Sequence, residues 1–309
     1  MSSTAPPLEL VVRPTLTLPA PRLGERLGCA VALVVETHQH TGSFKFRAAY
    51  SVAHSVPNPR LVTASSGNFG QALAYACKKL GKGCTVVMPE TSARVKIEAV
   101  RSHGARVELI DVRAKSRSAR VAELAAEDPE AYVASAYDDP LVIAGNATLG
   151  REIAGAGDFD DVLVPVGGGG LSAGIAVGLA DRRARARLWG AEPALADDAA
   201  RSLAAGELLA NADEPQTIAD GARTLSLGRH NWAILRDALA GIVTVPEERI
   251  AEGLRRLFLD DNVKAEPTGA LSVGALLAEP DRFRGRWVAC VVSGGNVDPA
   301  SYARLLVPS

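Results

Sequence analysis

The chain has 309 residues, 47% of them hydrophobic and 22% charged, with a formal net charge of −1. That length supports one large or two moderate domains with a real core. The near-balanced charge gives no electrostatic reason to expect nucleic acid or an acidic membrane as a partner, and no apolar run is long enough to span a bilayer.

Residues 1–30 open with prolines and one short helical piece, 23–27. Residues 30–36 (AVALVVE) form a continuous apolar run rich in β-branched side chains and predict a buried strand. A lysine between two aromatics, Phe44-Lys45-Phe46, then opens a helix to about residue 56. A regular alternation follows: strand 61–64, helix 68–80, strand 84–88, helix 93–102, strand 106–110, helix 116–127 and strand 131–134. A second set runs helix 146–153, strand 161–166, helix 171–179 and strand 187–192. Residues 197–229 read as a polar, loop-rich stretch, before strand 241–245, helices 247–260 and 269–277, and strand 287–292. Asp138-Asp139 before Pro140 reads as a turn. Strand–helix alternation at this spacing argues an α/β fold with parallel sheets and crossover helices. The expected division is a small α/β domain, 53–137, inserted in a larger one made of 1–52 and 138–309.

The cysteines Cys29, Cys77, Cys84 and Cys290 are scattered and form no CxxC pair. They read as small buried residues of a reducing compartment. The polar start shows no signal-peptide pattern, so a cytoplasmic protein is expected. His38, His40, His54, His103 and His230 show no metal-binding spacing.

Three strand-to-helix junctions carry candidate chemistry. Lys45 sits between rings that can desolvate an ammonium and lower its pKa, as an imine-forming lysine requires, or it snorkels to water as lysines at helix starts commonly do. Gly167, Gly168, Gly169 and Gly170 separate a buried strand from a helix, and only glycine lets successive N–H groups turn toward one phosphate without Cβ interference. This is neither a Walker A sequence nor a dinucleotide fingerprint. Ser65, Ser66, Gly67, Asn68 and Phe69 again join a strand to a helix, where hydroxyls and a helix N-terminus receive a carboxylate or simply cap the helix. Ser293-Gly294-Gly295-Asn296 follows the last strand. Ligands of open parallel sheets bind beyond the carboxyl ends of strands, so these loops can converge. A lysine, a phosphate cup and a carboxylate loop together point to pyridoxal 5′-phosphate.

At this point the chain resembles the fold-type II pyridoxal-phosphate enzymes, in particular the serine/threonine dehydratase (ammonia-lyase) and serine racemase family. The resemblance rests on TGSFKFRAA (41–49), SSGNFGQALAYA (65–76), VIAGNATLGREI (142–153), PVGGGGLSAG (165–174), GAEPALADD (190–198), TIADGAR (217–223), EPTGA (266–270) and SGGNVD (293–298), in family order over nearly the whole chain.

It implies two parallel-sheet α/β domains with the cofactor in the cleft between them, and a homodimer. Position by position, it implies that Lys45 holds the cofactor as a Schiff base and that Phe44 packs by its ring. Gly167 to Gly170 bind its phosphate, Asn68 bonds its 3′-oxygen, Ser293 faces its pyridine nitrogen and Glu266 approaches the ring. Ser65, Ser66, Gly67, Asn68 and Phe69 form the substrate-carboxylate loop. Ser66 matches the serine that reprotonates Cα in the racemases, or caps the loop. Glu192, the Ala196 carbonyl and Asp198 match a site for Mg²⁺ or another divalent cation in some members, or form an acidic helix start.

The implied activity is β-elimination from serine, threonine or a related β-hydroxy amino acid, giving a 2-oxo acid and ammonia. The alternatives are racemisation and β-replacement through an aminoacrylate. A serine facing the pyridine nitrogen does not favour a protonated ring as an aspartate would, which suits elimination over transamination. Two departures stand out. Phe69 replaces the usual histidine and makes that side of the pocket drier, and Asn146-Ala147 replaces the more frequent Gln-Gly near where some relatives bind a nucleotide. Nucleotide regulation and feedback control through a C-terminal regulatory domain are not expected.

Overall fold

A computed structural model describes residues 5–65 and 67–307. In chain order the elements are β1 (Leu16–Pro19), α1 (Pro21–Leu27), β2 (Ala30–Val35), α2 (Lys45–Ser55), β3 (Arg60–Ala64), α3 (Asn68–Leu80), β4 (Gly83–Pro89), α4 (Arg94–Ser102), β5 (Arg106–Ile110), α5 (Arg117–Glu127) and β6 (Ala131–Val133). They continue with α6 (Pro140–Ala156), β7 (Asp161–Pro165), α7 (Gly170–Asp181), β8 (Arg187–Pro193), α8 (Asp198–Ala205), α9 (Arg229–Ala238), β9 (Leu239–Val245), α10 (Glu247–Asp261), α11 (Leu271–Ala278), α12 (Pro280–Phe283), β10 (Trp287–Val292) and α13 (Pro299–Leu306).

The strands form two sheets, one ordered β1-β2-β10-β7-β8-β9 and one ordered β5-β4-β3-β6. Every pairing is parallel except that of β1 with β2. The inner strands β2 and β10 are apolar along their length because both faces are covered. β7 is buried at all five positions, and the buried strands β2 and β10 pair with Leu33 opposite Cys290. One face packs on α10 and α11 through Leu254, Leu257, Leu271 and Leu276, and the other on α6 and α7 through Leu149, Ile153, Ile175 and Leu179. Helix α3 buries Ala72, Leu73, Ala76 and Cys77 and ends at Gly81, whose φ of 66° is open to glycine.

The structure corrects several boundaries. The helix expected over 146–153 is α6, seventeen residues from Pro140. Asp139 before it is no plain turn: its side chain caps the helix by accepting from Leu141 N, with Pro140 at the first helical position. The stretch 197–229 contains α8, held at its start by the Glu192 carboxylate. Strand β1 and helices α9, α12 and α13 have no sequence-based counterpart. β1 is four residues on a sheet edge and gains its structure from β2. Among the described residues no helix is long and apolar enough to cross a membrane.

Candidate active site

Lys45 is the first residue of α2, and its amine is buried. Its Nζ donates to the Ala136 carbonyl at 2.8 Å and lies 5.0 Å from the Phe44 ring and 5.7 Å from the Phe69 ring. Burial pushes the ammonium down to about 8, against a smaller upward pull from Glu266. The helix start is fixed from below by Arg47, a fully buried residue whose guanidinium makes five hydrogen bonds. It forks onto Glu36 (2.8 and 2.9 Å) and Glu152 (2.7 and 3.0 Å) and reaches Thr148 Oγ1 at 2.9 Å.

The lysine segment is stitched to the loop after β10. Phe44 N donates to the Ser293 carbonyl and Gly295 N to the Gly42 carbonyl, each at 3.0 Å, and Ser43 pairs with Gly294. Gly42 has a φ of +74° and any Cβ there would strike Asn296, so glycine is required by both backbone and neighbour. Asn296 Nδ2 donates to Thr41 O (2.7 Å) and to Asn68 Oδ1 (2.8 Å), and Asn68 Nδ2 donates to Glu266 Oε1 (2.7 Å). Burial pushes the Glu266 carboxyl up to about 8, and nearby Asp220 pushes the same way. The side chains of Asn68, Glu266 and Asn296 thus form one chain of bonds beside Lys45. Ser293 is buried, and its hydroxyl has no partner among the described residues.

The glycine turn lies between β7 and α7. Gly168, Gly169 and Gly170 are buried, and the N–H groups of Gly167, Gly168, Gly169 and Gly170 have no acceptor among the described residues. A Cβ on Gly168 would enter the Tyr137 ring, one on Gly170 would come within 2.7 Å of the Tyr137 carbonyl, and Gly169 has a φ of +88°. The result is a row of buried donors at the N-terminus of a twelve-residue helix, the arrangement that binds an oxyanion.

In the loop after β3, Ser65 Oγ accepts from Gly70 N in the first turn of α3 at 3.0 Å, while Asn68 N and Phe69 N have no acceptor among the described residues. Phe69 is buried, with its ring in the apolar cluster of Phe46 and Leu73 as well as near Lys45. Ser66 lies outside the described residues.

Glu192 and Asp198 are both buried. Glu192 accepts from Ala199 N (3.0 Å) and Ala200 N (2.9 Å); Asp198 accepts from Asn211 Nδ2 (2.8 Å) and Leu227 N (3.0 Å). Burial pushes their carboxyls up to about 8 and about 6. The Ala196 carbonyl accepts no hydrogen bond among the described residues. Two buried carboxylates with spare lone pairs and an unpaired carbonyl suit a hard divalent cation. Among the described residues no three His, Cys, Asp or Glu side chains cluster to hold a metal by themselves.

The family model described as "Pyridoxal-phosphate dependent enzyme" matches residues 8–294. An L-threo-3-hydroxyaspartate ammonia-lyase of Pseudomonas sp is 35% identical over 289 residues, covering 92% of this chain and 90% of that protein. The serine racemase of Bos taurus is 36% identical, covering 86% and 82%. The crystal structure of a threonine deaminase from T.th. superposes with a TM-score of 0.89 at 40% identity, covering 94% of this chain and 95% of that one.

The chain belongs to the pyridoxal-phosphate-dependent enzymes, with the fold-type II architecture.

The residues present fit that cofactor. The buried donors of the glycine turn suit a phosphate, Lys45 is a desolvated amine, and the unpartnered Ser293 hydroxyl suits a ring nitrogen. The fold brings Phe44, Lys45, Asn68, Phe69, Glu266 and Ser293 together. Glu192, Ala196 and Asp198 lie along the run from the end of β8 to the start of α8. Four participants had no signal in the sequence reading. Ala136 contributes only a carbonyl, Tyr137 only a ring and backbone against the glycine turn, and Asn231 is a lone asparagine. Arg47 stood in the lysine segment, yet its acid partners are 11 and 105 residues away.

Proposed function

We propose that the protein is a pyridoxal-phosphate-dependent ammonia-lyase that removes the β-hydroxyl of a β-hydroxy amino acid, such as serine, threonine or 3-hydroxyaspartate, releasing a 2-oxo acid and ammonia. The observation that carries this reading is Lys45: a buried amine with its pKa lowered to about 8, packed between Phe44 and Phe69. The relatives named ammonia-lyase, at about one-third identity, support the reaction class.

When bound, the cofactor supplies the conjugated system that accepts the electrons left when the Cα proton departs. Lys45 Nζ carries the cofactor and serves as the base that takes this proton, a role that its lowered pKa favours near neutral pH. Phe44 flanks the ring, Gly167 to Gly170 hold the phosphate through their free N–H groups, and Ser293 Oγ faces the ring nitrogen. Asn68 directs its second amide hydrogen to the ring oxygen, held in place by Glu266 and Asn296. Ser65, Ser66, Gly67, Asn68 and Phe69 receive the substrate carboxylate, with Asn68 N and Phe69 N as donors. The ring of Phe69 excludes water on that side.

Residues 1–52 and 138–309 serve as the large domain and 53–137 as the small one, with the substrate between them. Glu192, the Ala196 carbonyl and Asp198 hold Mg²⁺ or a similar cation, and the working unit is a cytoplasmic homodimer. The decisive assay is a panel of L-serine, L-threonine and 3-hydroxyaspartate isomers, followed for 2-oxo acid, ammonia and the enantiomeric composition of the remaining substrate. Stoichiometric 2-oxo acid and ammonia are expected. Loss of optical activity without either product would assign the protein to the racemases, a reading that the serine racemase relatives keep in view.

A further inference from the structure

We propose that Asn231 is a positioning residue for the anion-binding glycine turn, and that it locks this turn to the backbone beside Lys45. The inference rests on reading the glycine turn as the cofactor-phosphate site.

Asn231 lies in the first turn of α9 and is fully buried. Its Nδ2 donates to the Gly168 carbonyl at 2.6 Å and to the Tyr137 carbonyl at 3.0 Å. Gly168 O accepts a second bond from Gly228 N at 3.0 Å. A peptide unit is planar, with its carbonyl and the next N–H pointing to opposite sides. Pinning the Gly168 carbonyl therefore pins the Gly169 N–H on the other side, among the free donors of the turn. The Gly170 carbonyl is held in the same manner by Asn146 Nδ2 at 2.9 Å, which fixes the Leu171 N–H. Two buried asparagines thus grip alternate carbonyls of one turn from outside.

The second bond of Asn231 reaches the strap that serves Lys45. Tyr137 follows Ala136, whose carbonyl accepts from Lys45 Nζ. One carboxamide therefore spans both cofactor anchors, the phosphate turn and the lysine strap. The brace is itself held: Asp138 accepts from Arg229 N (3.0 Å) and His230 N (2.9 Å), at the start of the same helix. Asn231 Oδ1 is buried and has no partner among the described residues. An unpaired buried carbonyl oxygen is destabilising, yet reversing the amide would aim that oxygen at two carbonyl oxygens. The side chain is explained by what its NH₂ holds.

The test compares affinity of the apoprotein for pyridoxal 5′-phosphate and for pyridoxal, which carries the same aldehyde and ring but no phosphate. Asn231→Ala is expected to weaken pyridoxal phosphate by about tenfold or more, the effect of misplacing charge-assisted bonds. Pyridoxal binding should stay within about twofold, so the ratio of the two constants falls. Asn231→Ser, which keeps one donor, should lie between, and it decides the matter if the alanine variant does not fold. Equal loss of both ligands would make Asn231 a structural residue only and overturn the proposal, as would an unchanged ratio. If the wild-type protein binds both ligands equally, the glycine turn is not the phosphate site, and that failure is visible without any variant.

Discussion

At the scale of single residues, Lys45 and Glu266 show how burial sets chemistry. Replacing Lys45 with alanine removes the amine proposed to carry the cofactor and to take the Cα proton. Turnover should fall by roughly a thousandfold or more, and the visible absorbance of bound cofactor should vanish. Unchanged 2-oxo acid formation would remove Lys45 from the mechanism. Glu266 tests the electrostatics of the same site. Its folded carboxyl is raised from the ordinary 4.5 to about 8 by burial, so the folded protein keeps a proton that the unfolded chain gives up. The resulting stabilisation is fully present below about pH 4.5 and is lost as pH rises through about 8. Melting temperatures measured from pH 5 to pH 8 should therefore fall more steeply for the wild type than for Glu266→Gln. Parallel curves would show that Glu266 does not titrate in this window. In the protein freed of cofactor, Lys45 acts above that range with the opposite slope, because its folded pKa of about 8 lies below the ordinary 10.5 and stability rises between the two.

The elements are positioned by contacts that leave little freedom. α6 and α7 pack closely because each offers glycine to the other: a Cβ on Gly178 would strike the Ala147 carbonyl, and one on Gly150 would come within 2.5 Å of the Ile175 carbonyl. That approach sets where α7 begins, and so where the glycine turn points. Gly178→Ala should cost about 1–3 kcal/mol through overpacking; a urea midpoint equal to wild type would show that the helices have room to part. Arg47 joins α2 to α6 and to Glu36, just past the end of β2, in the same way. Arg47→Met would leave Glu36 and Glu152 without their buried cation, and about 3–5 kcal/mol of stability should be lost. A loss below about 1 kcal/mol in urea unfolding would mean that the network is dispensable.

Over the whole molecule, polar contacts tie elements of the smaller sheet's unit to those of the larger. Asn68 on α3 reaches Glu266 and Asn296, and Lys96 on α4 pairs with Asp220 at 2.7 Å. The proposed cation would act at this scale. Asp198 holds Asn211 and Leu227, so an ion on Glu192 and Asp198 would fasten α8 to the segment that covers the glycine turn. Added Mg²⁺ should raise the melting temperature and chelation should reverse it, because a ligand of the folded state stabilises by mass action. Glu192→Gln should abolish that response. An identical melting temperature with and without Mg²⁺ would leave the two carboxylates as caps of α8 and nothing more.

The alternation of apolar runs with amphipathic segments determined the α/β class. The strand Trp287–Val292 was legible to the residue, since two-sided burial leaves an unbroken apolar run. The glycine turn, Lys45 and the Ser/Gly/Asn loops were legible too, because each needs residue types that few other settings require. β1 and α9 were not: β1 is ordered by pairing along an edge, and α9 carries only a short apolar face. Only the tertiary structure decided which groups meet. Ala136, Tyr137 and Asn231 act through backbone or through partners 63 to 94 residues distant, and Glu36 and Glu152 reach Arg47 from separate elements. A sequence records the kind of side chain at each position, whereas a buried carbonyl acquires its role from whatever the fold presses against it.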